Sequence, residues 1–384
     1  MDLAYFLKLM MAKGASDMFF TTGAPPQLKV EGEMYSLGDS KLPTSMTKSI
    51  AYGLMDKSQQ QQFERELEMN FAVAVEGSGR FRINVFKQKG EVGLVIRSIK
   101  STIPSIEELK LPPVLKEIIM NKRGLVLVVG STGSGKSTTL ASMIDYRNSS
   151  SSGHILTIED PIEFIHNHKK SIVNQREVGM DTYAFSSALK NAMREAPDVI
   201  LIGEILDAAT MEAAIAFAET GHLCLATLHS NSADQAVERI LNFFPESAHK
   251  NVLMNVALNL KAVIAQRLVI GVDGQRLPAA EVMINTPLIR DLLRKGLVHE
   301  IKENMEKSLN AGMQTFDDAL FNLVKSGKVT EEAALASSDS PDGLALRFRF
   351  SEGASSSHNP YHVNDNQFQG PSSFSVATDP YNRF

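Results

Sequence analysis

The chain has no tryptophan and one cysteine, Cys224. A single thiol excludes an internal disulfide and any zinc site built from several cysteines. Long hydrophobic runs are missing as well, and none approaches the roughly 18 apolar residues needed to cross a bilayer. The N-terminal stretch MDLAYFLKLMMAKGASD carries Asp2 where a signal peptide is basic, and its apolar residues fit a helical stripe. A cytoplasmic protein with no inserted segment is the expectation. Excess positive charge is also lacking. The formal net charge of −5 and the want of a basic–aromatic stretch argue against a nucleic-acid partner.

What remains is an ordinary globular composition, 43% hydrophobic and 22% charged, in a chain of 384 residues that is long for one core. Two domains and a tail are expected. In the first hundred residues, one amphipathic helix precedes strand-like pieces. RFRINVF (Arg80 to Phe86) alternates, with Arg80, Arg82 and Asn84 on one face and Phe81, Ile83 and Val85 on the other. GLVIRSI reads as a further strand and delivers Arg97. Prolines then punctuate STIPSIEELKLPP, so residues 101–118 read as a linker.

Beyond it, short apolar runs alternate with helical stretches, which predicts an α/β domain with a parallel sheet over 119–346. LVLVV ends at Gly130, HILTI at Glu159, VILI at Gly203 and Glu204, and CLATL at His229. Ligands of such sheets bind beyond the carboxyl ends of the strands, so the four ends point to one site. The last residues, 347–384, collapse into Ser, Asn, Asp, Gly and Pro and read as a disordered tail.

The strongest motif is GSTGSGKS, Gly130 to Ser137, which follows a strand, opens a helix and fits the phosphate-binding pattern G-x-x-x-x-G-K-[ST]. Its glycines let backbone N–H groups turn onto phosphate oxygens, and the helix N-terminus adds its positive end. Gly130, Ser131, Thr132, Gly133, Ser134, Gly135, Lys136, Ser137 and Thr138 are therefore the candidate nucleotide-binding residues. Lys136 is expected at the β- and γ-phosphates and Ser137 at Mg²⁺. Glu204 ends a strand where an acid would bind Mg²⁺ or orient a water. TIEDPIE adds Glu159, Asp160 and Glu163, with Pro161 forcing a turn that would aim Glu163 at the site. In ETGHLCLATLHSN, His222 precedes a strand and His229 follows it, which makes His229 a candidate phosphate contact. Asp207 reads as the cap of the helix after Glu204.

These residues resemble the secretion and pilus-motor ATPases of the type II and type IV systems, and within them the PilT/PilU group of pilus retraction motors. The resemblance runs from about Leu3 to Leu346. GSTGSGKSTTL is similar to the family's Walker A, TIEDPIE to its acidic box and VILIGEILD to its atypical Walker B. TGHLCLATLHSN is similar to its histidine box and GMQTFDDAL to its C-terminal segment. REAPD, the wording of the histidine box and the polar tail are nearer the PilU branch, and LIRDLL stands where PilT carries AIRNL. The four-cysteine insertion usual in the assembly ATPases is excluded by the lone cysteine.

The resemblance implies a RecA-like ATPase domain behind a smaller PAS-like α+β domain over 1–100. It further implies a homo-hexameric ring that binds ATP and Mg²⁺ between subunits. On it, Glu163 is the general base, Glu204 acts at Mg²⁺ and water, and His222 and His229 sense the γ-phosphate. Arg82 and Arg97, with Arg80 a weaker candidate, match arginines that approach the phosphates across the ring. Implied partners are a PilT-type ATPase and an inner-membrane platform protein of PilC type, which would place the motor peripherally at that membrane. One position departs: Leu206 stands where the family carries Arg, and leucine can neither pair nor hydrogen-bond. Reduced turnover, or a ring that chiefly couples to a PilT-type motor, is the alternative this raises. A nucleic-acid translocase is a distant third.

Overall fold

The computed structural model describes residues 3–75, 79–307 and 312–353. The N-terminal part runs α1 (Leu3–Ala12), β1 (Asp17–Phe20), β2 (Gln27–Val30), β3 (Glu33–Ser36), α2 (Thr44–Leu54), α3 (Lys57–Glu66), β4 (Glu68–Val75), β5 (Gly79–Gln88) and β6 (Glu91–Ile99). Its six strands form one antiparallel sheet in the order β3-β2-β1-β6-β5-β4. The alternation read along β5 sets the faces. Phe81, Ile83 and Val85 are fully buried in a core with Leu7, Met10 and Phe63 of the helices.

The second part runs α4 (Val114–Ile119), β7 (Gly124–Val129), α5 (Lys136–Ser150), β8 (Gly153–Glu159), β9 (Ser171–Glu177), α6 (Phe185–Ala192), β10 (Val199–Ile202), α7 (Ala208–Glu219), β11 (Leu223–Leu228), α8 (Ala233–Leu241), α9 (His249–Asn259), β12 (Leu260–Ile270) and β13 (Arg276–Ile284). Then come α10 (Pro287–Lys295), α11 (Ile301–Glu306), α12 (Phe316–Lys325), α13 (Glu331–Ser337) and α14 (Pro341–Gly353). The strand order is β13-β12-β7-β11-β10-β8-β9, parallel throughout except for the hairpin of β12 and β13. Helices cover both faces, which is why the strands are unbroken apolar runs. Leu125, Leu127 and Val129 of β7 enter one core layer, and Val126 and Val128 enter the other. Val129 lies beside Leu228, and Ile202 beside both Ile158 and Ala226, so the carboxyl ends of β7, β8, β10 and β11 share one edge.

Two boundaries differ from the sequence reading. The segment read as a linker, 101–118, is structured from Ser105 onward. Ile106, Leu111, Leu115 and Ile118 are buried against α5 and the sheet, and α4 begins at Val114. The prolines mark the entry to this segment, whereas its apolar spacing docks it. Likewise, residues 347–353, read as the start of the tail, continue α14. Leu344 and Phe348, four apart, are buried, Phe348 stacks on Phe321, and Arg347 Nη1 pairs with Asp318 Oδ1 at 2.9 Å. The rest of the expected tail, 354–384, lies outside the described residues.

The C-terminal helices rest on a charged layer. Asp339 bridges Arg267 Nη2 at 2.6 Å and Lys302 Nζ at 2.7 Å. Beneath it Glu281 of β13 is 1% exposed and accepts the Ala233 N–H at the start of α8, while its second oxygen is unpartnered. Burial pushes its carboxyl up to about 7, with the nearby Asp339 and Asp234 adding to the rise. Between about pH 4.5 and 7, the unfolded chain has released the proton that the folded chain keeps. Stability therefore falls as pH rises through that window, by up to about 3 kcal/mol for this group. Glu281→Gln is expected to raise the melting temperature by several degrees at pH 8 and hardly at all at pH 5. Equal shifts at both pH values would refute this account.

Candidate active site

At the shared strand edge lies a cavity of about 630 Å³. One wall is the loop between β7 and α5. Gly130, Gly133 and Gly135 adopt φ of 152°, 78° and 90°, which side-chain-bearing residues rarely tolerate. A Cβ on Gly130 would lie 2.5 Å from the Gln266 carbonyl oxygen, and one on Gly135 would lie 2.7 Å from Gln266 Nε2. Thr132, Gly133, Gly135, Lys136, Ser137 and Thr138 line the cavity. Gly130, Ser131 and Ser134 do not line it. Gly130 and Ser131 contribute carbonyls that accept from Lys136 Nζ at 2.8 and 3.0 Å, and Ser134 is buried beneath the loop. Burial lowers the Lys136 pKa, and the Glu204 carboxylate opposes that shift.

The facing wall comes from the acidic turn after β8. Glu159, Asp160, Pro161 and Glu163 all border the cavity, and the structure separates the two glutamates chemically. Glu159 Oε1 accepts from Thr157 Oγ1 at 2.6 Å and from Gln175 Nε2 at 3.3 Å, while burial pushes its carboxyl up to about 7. Glu163 is exposed to the cavity, and among the described residues its side chain accepts no hydrogen bond. Of the pair, Glu163 is the free carboxylate.

Glu204 and His229 meet because β10 and β11 are parallel neighbours, which brings the residues just past their ends together. His229 Nε2 lies 2.8 Å from Glu204 Oε1, and both line the cavity. Ile205 N–H donates to the Thr227 carbonyl at 2.9 Å, which fixes the turn after Glu204. Leu206 is 60% exposed and borders the same cavity. Asp207 caps α7 by accepting from Thr210 N–H at 2.8 Å. Cys224 is fully buried within β11, and burial pushes its thiol well up.

Three of the residues singled out from the sequence stand apart from this site. His222 precedes β11 at the opposite edge of the sheet, where its ring contacts Thr220 Oγ1 and the Phe217 carbonyl. Arg82 and Arg97 are direct cross-strand partners on β5 and β6, and each is held by an acid of its own chain. Arg97 Nε donates to Asp17 Oδ1 at 2.7 Å, and Arg82 Nη1 lies 3.8 Å from Glu177 Oε1. Two like charges side by side repel, and the acids offset that repulsion. Within one chain, neither arginine nor His222 reaches the cavity.

Gln266 was not among the residues read from the sequence. It is 3% exposed, its Nε2 donates to the Ser134 carbonyl at 2.8 Å, and its Oε1 accepts from Thr139 Oγ1 at 2.6 Å. It thereby clamps the glycine loop to the start of α5. A glutamine inside the apolar strand LKAVIAQRLVI was the available signal. Gln175 plays a matching part on the other wall, accepting from His166 N–H and donating to the Phe164 carbonyl.

A model of the type II/IV secretion system proteins matches residues 66–276. The chain belongs to this family of ATPases. It is 51% identical over 359 residues to the type IV pilus ATPase PilU of Pseudomonas aeruginosa, covering 93% of this chain and 94% of that one. To the type IV pilus retraction ATPase PilT of the same organism it is 42% identical, covering 90% and 100%. The crystal structure of the pilus retraction motor PilT with bound ADP superposes with a TM-score of 0.84 at 41% identity, over 90% of this chain and 99% of that one. The architecture is accordingly the mixed α/β fold of that ATPase with a strand-rich N-terminal domain before it, in keeping with the two domains that the resemblance implied. Among the described residues, no helix of this secretion-family ATPase is long and apolar enough to cross a membrane.

Proposed function

We propose that the chain is a subunit of a homo-hexameric, ATP-hydrolysing motor that retracts type IV pili. Its place is the cytoplasmic side of the inner membrane, beside a PilT-type ATPase and a PilC-type platform protein. The observation that carries this reading is one cavity whose wall holds Lys136, Ser137, Glu163 and the Glu204–His229 pair. The chain around that cavity aligns with PilU and PilT over nearly its whole length. The glycine loop offers backbone N–H groups and a helix N-terminus to phosphates. The Ser137 hydroxyl and the Glu204 carboxylate are a donor set suited to Mg²⁺, which takes few protein ligands beside water and phosphate oxygens. Bound there, Mg²⁺ would neutralise charge on the transferring phosphate.

In this mechanism Glu163 accepts the proton of the attacking water. Lys136 stabilises charge on the phosphates once they draw it from Gly130 and Ser131. His229 fixes the rotamer of Glu204. Arg97, 60% exposed at its side chain, and His222 at the far sheet edge are assigned to contacts between neighbouring subunits. Size-fractionated protein is expected to form a ring of six, to hydrolyse ATP only with Mg²⁺, and to turn over faster with a PilT-type ATPase added. A monomer without turnover, indifferent to that partner, would refute the proposal.

Leu206 favours a second reading, in which the ring acts mainly by coupling to a PilT-type motor. Its exposed apolar side chain occupies cavity wall where the family places a cation. On this reading Leu206→Arg raises the turnover of the protein alone by about tenfold, as one added charge-assisted contact would. Unchanged turnover would leave the self-sufficient motor as the better account.

A further inference from the structure

The loop that delivers His229 to Glu204 is short. Leu228 ends β11 in register with Val129 of β7, and α8 begins at Ala233, so only residues 229–232 lie between two fixed points. Helix α8 has no side-chain cap of its own, because the Ser232 hydroxyl turns to the Asp234 carboxylate. Its first N–H, that of Ala233, is met from a distant strand. It donates to Glu281 Oε1 on β13 at 2.8 Å, and both residues are buried. An unpaired N–H at that depth is costly, so α8 starts where Glu281 holds it. Ionised or neutral, a carboxyl keeps an oxygen that can accept. The other contact to the loop, from Arg267 Nη2 to the Asn231 carbonyl at 3.4 Å, lies at the surface.

Glu281 is itself pinned by the C-terminal segment GMQTFDDAL. Gln314 exchanges backbone hydrogen bonds of 2.8 and 3.1 Å with Val282, and its Nε2 donates to the Ala280 carbonyl at 2.6 Å. The residues on both sides of Glu281 are therefore fixed by one glutamine of that segment.

We infer that Glu281, braced by Gln314, is a positioning residue for His229. It does not border the cavity, and it acts by fixing the point at which residues 229–232 turn into α8. The contacts run from the C-terminal segment through β13 to the histidine loop and end at the 2.8 Å contact of His229 with Glu204. A displacement of about 1 Å at a reacting group can cost on the order of 100-fold in rate, so a loosened loop is felt in turnover. The inference rests on the reading of His229 as the residue that fixes the Glu204 rotamer.

The test compares Glu281→Leu, which removes the acceptor at similar volume, with Glu281→Gln, which keeps one. Glu281→Leu is expected to lower kcat about tenfold, with KM and the affinity for fluorescent ADP changed less than about twofold. Glu281→Gln is expected to stay within about twofold of wild type. In a His229→Ala background, Glu281→Leu is expected to lower kcat no further. If the tenfold fall persists in that background, or if glutamine falls as far as leucine, the inference is wrong. A crystal structure of Glu281→Leu needs no turnover: His229 is expected beyond hydrogen-bond reach of Glu204, and an unmoved loop overturns the inference. If His229→Ala alone keeps wild-type turnover while that contact is lost in Glu281→Leu, the reading of His229 fails and the anchor stands. Should the melting curve show that Glu281→Leu does not fold, Ala233→Pro combined with it removes donor and acceptor together and leaves neither unpaired. Proline is tolerated at the first helical position, and Ser232 before it is already extended. The same tenfold fall is expected of the pair, and wild-type turnover there refutes the anchor.

Discussion

Glu163→Gln is expected to lower the rate of ATP hydrolysis by roughly 10²- to 10⁴-fold while leaving nucleotide binding nearly unchanged. The acidic turn offers two glutamates at the cavity, and their surroundings decide between them. Glu159 is committed within its own chain, its Oε1 already accepting hydrogen bonds from Thr157 on β8 and Gln175 on β9. Glu163 is exposed to the cavity and uncommitted. Glutamine preserves its volume and removes its basicity alone. Single-turnover hydrolysis alongside a fluorescent-nucleotide titration separates chemistry from binding. Wild-type turnover in the variant would return the role to another acid.

Lys136→Ala is expected to behave differently, losing affinity and turnover together. Its ammonium is the flexible charge in the glycine loop, and it also braces that loop by donating to the carbonyls of Gly130 and Ser131. Removing it deletes charge stabilisation of the phosphates, worth roughly 10²- to 10³-fold in rate by analogy with other lost transition-state donors. It also frees two carbonyls that shape the loop. Steady-state hydrolysis and nucleotide affinity are the measurements, with a melting curve to show that the fold survives. If affinity stayed at the wild-type level while turnover fell, Lys136 would act in the transition state only. If both were unchanged, the cavity would not be the nucleotide site. Together the two variants divide the cavity into a binding wall and a chemical wall.

Much of this was written locally in the chain. Strand, glycine loop and helix follow one another from Gly124 to Ser150, so the phosphate loop is read from contiguous residues whose backbone demands only glycine can meet. Apolar runs ending in Glu159, Glu204 and His229 predicted a parallel sheet with its chemistry at one edge, because strand ends in such a sheet converge whatever their order. The alternation in β5 likewise determined which of its residues are buried. Partnerships between distant segments were not legible. Gln266 meets Thr139, Arg97 meets Asp17, and Arg82 meets Glu177 across separations that only the strand order and domain docking close. For the same reason, the sequence did not show that within one chain His229 lines the cavity while His222 and the two arginines lie away from it. Composition marked a linker and a tail, yet Leu115 and Phe348 dock there because an apolar groove was waiting for them. Local backbone requirements are encoded residue by residue, and the sequence alone determined them here. The choice of partner for each charge is an energy shared between distant segments, and only the tertiary structure decided it.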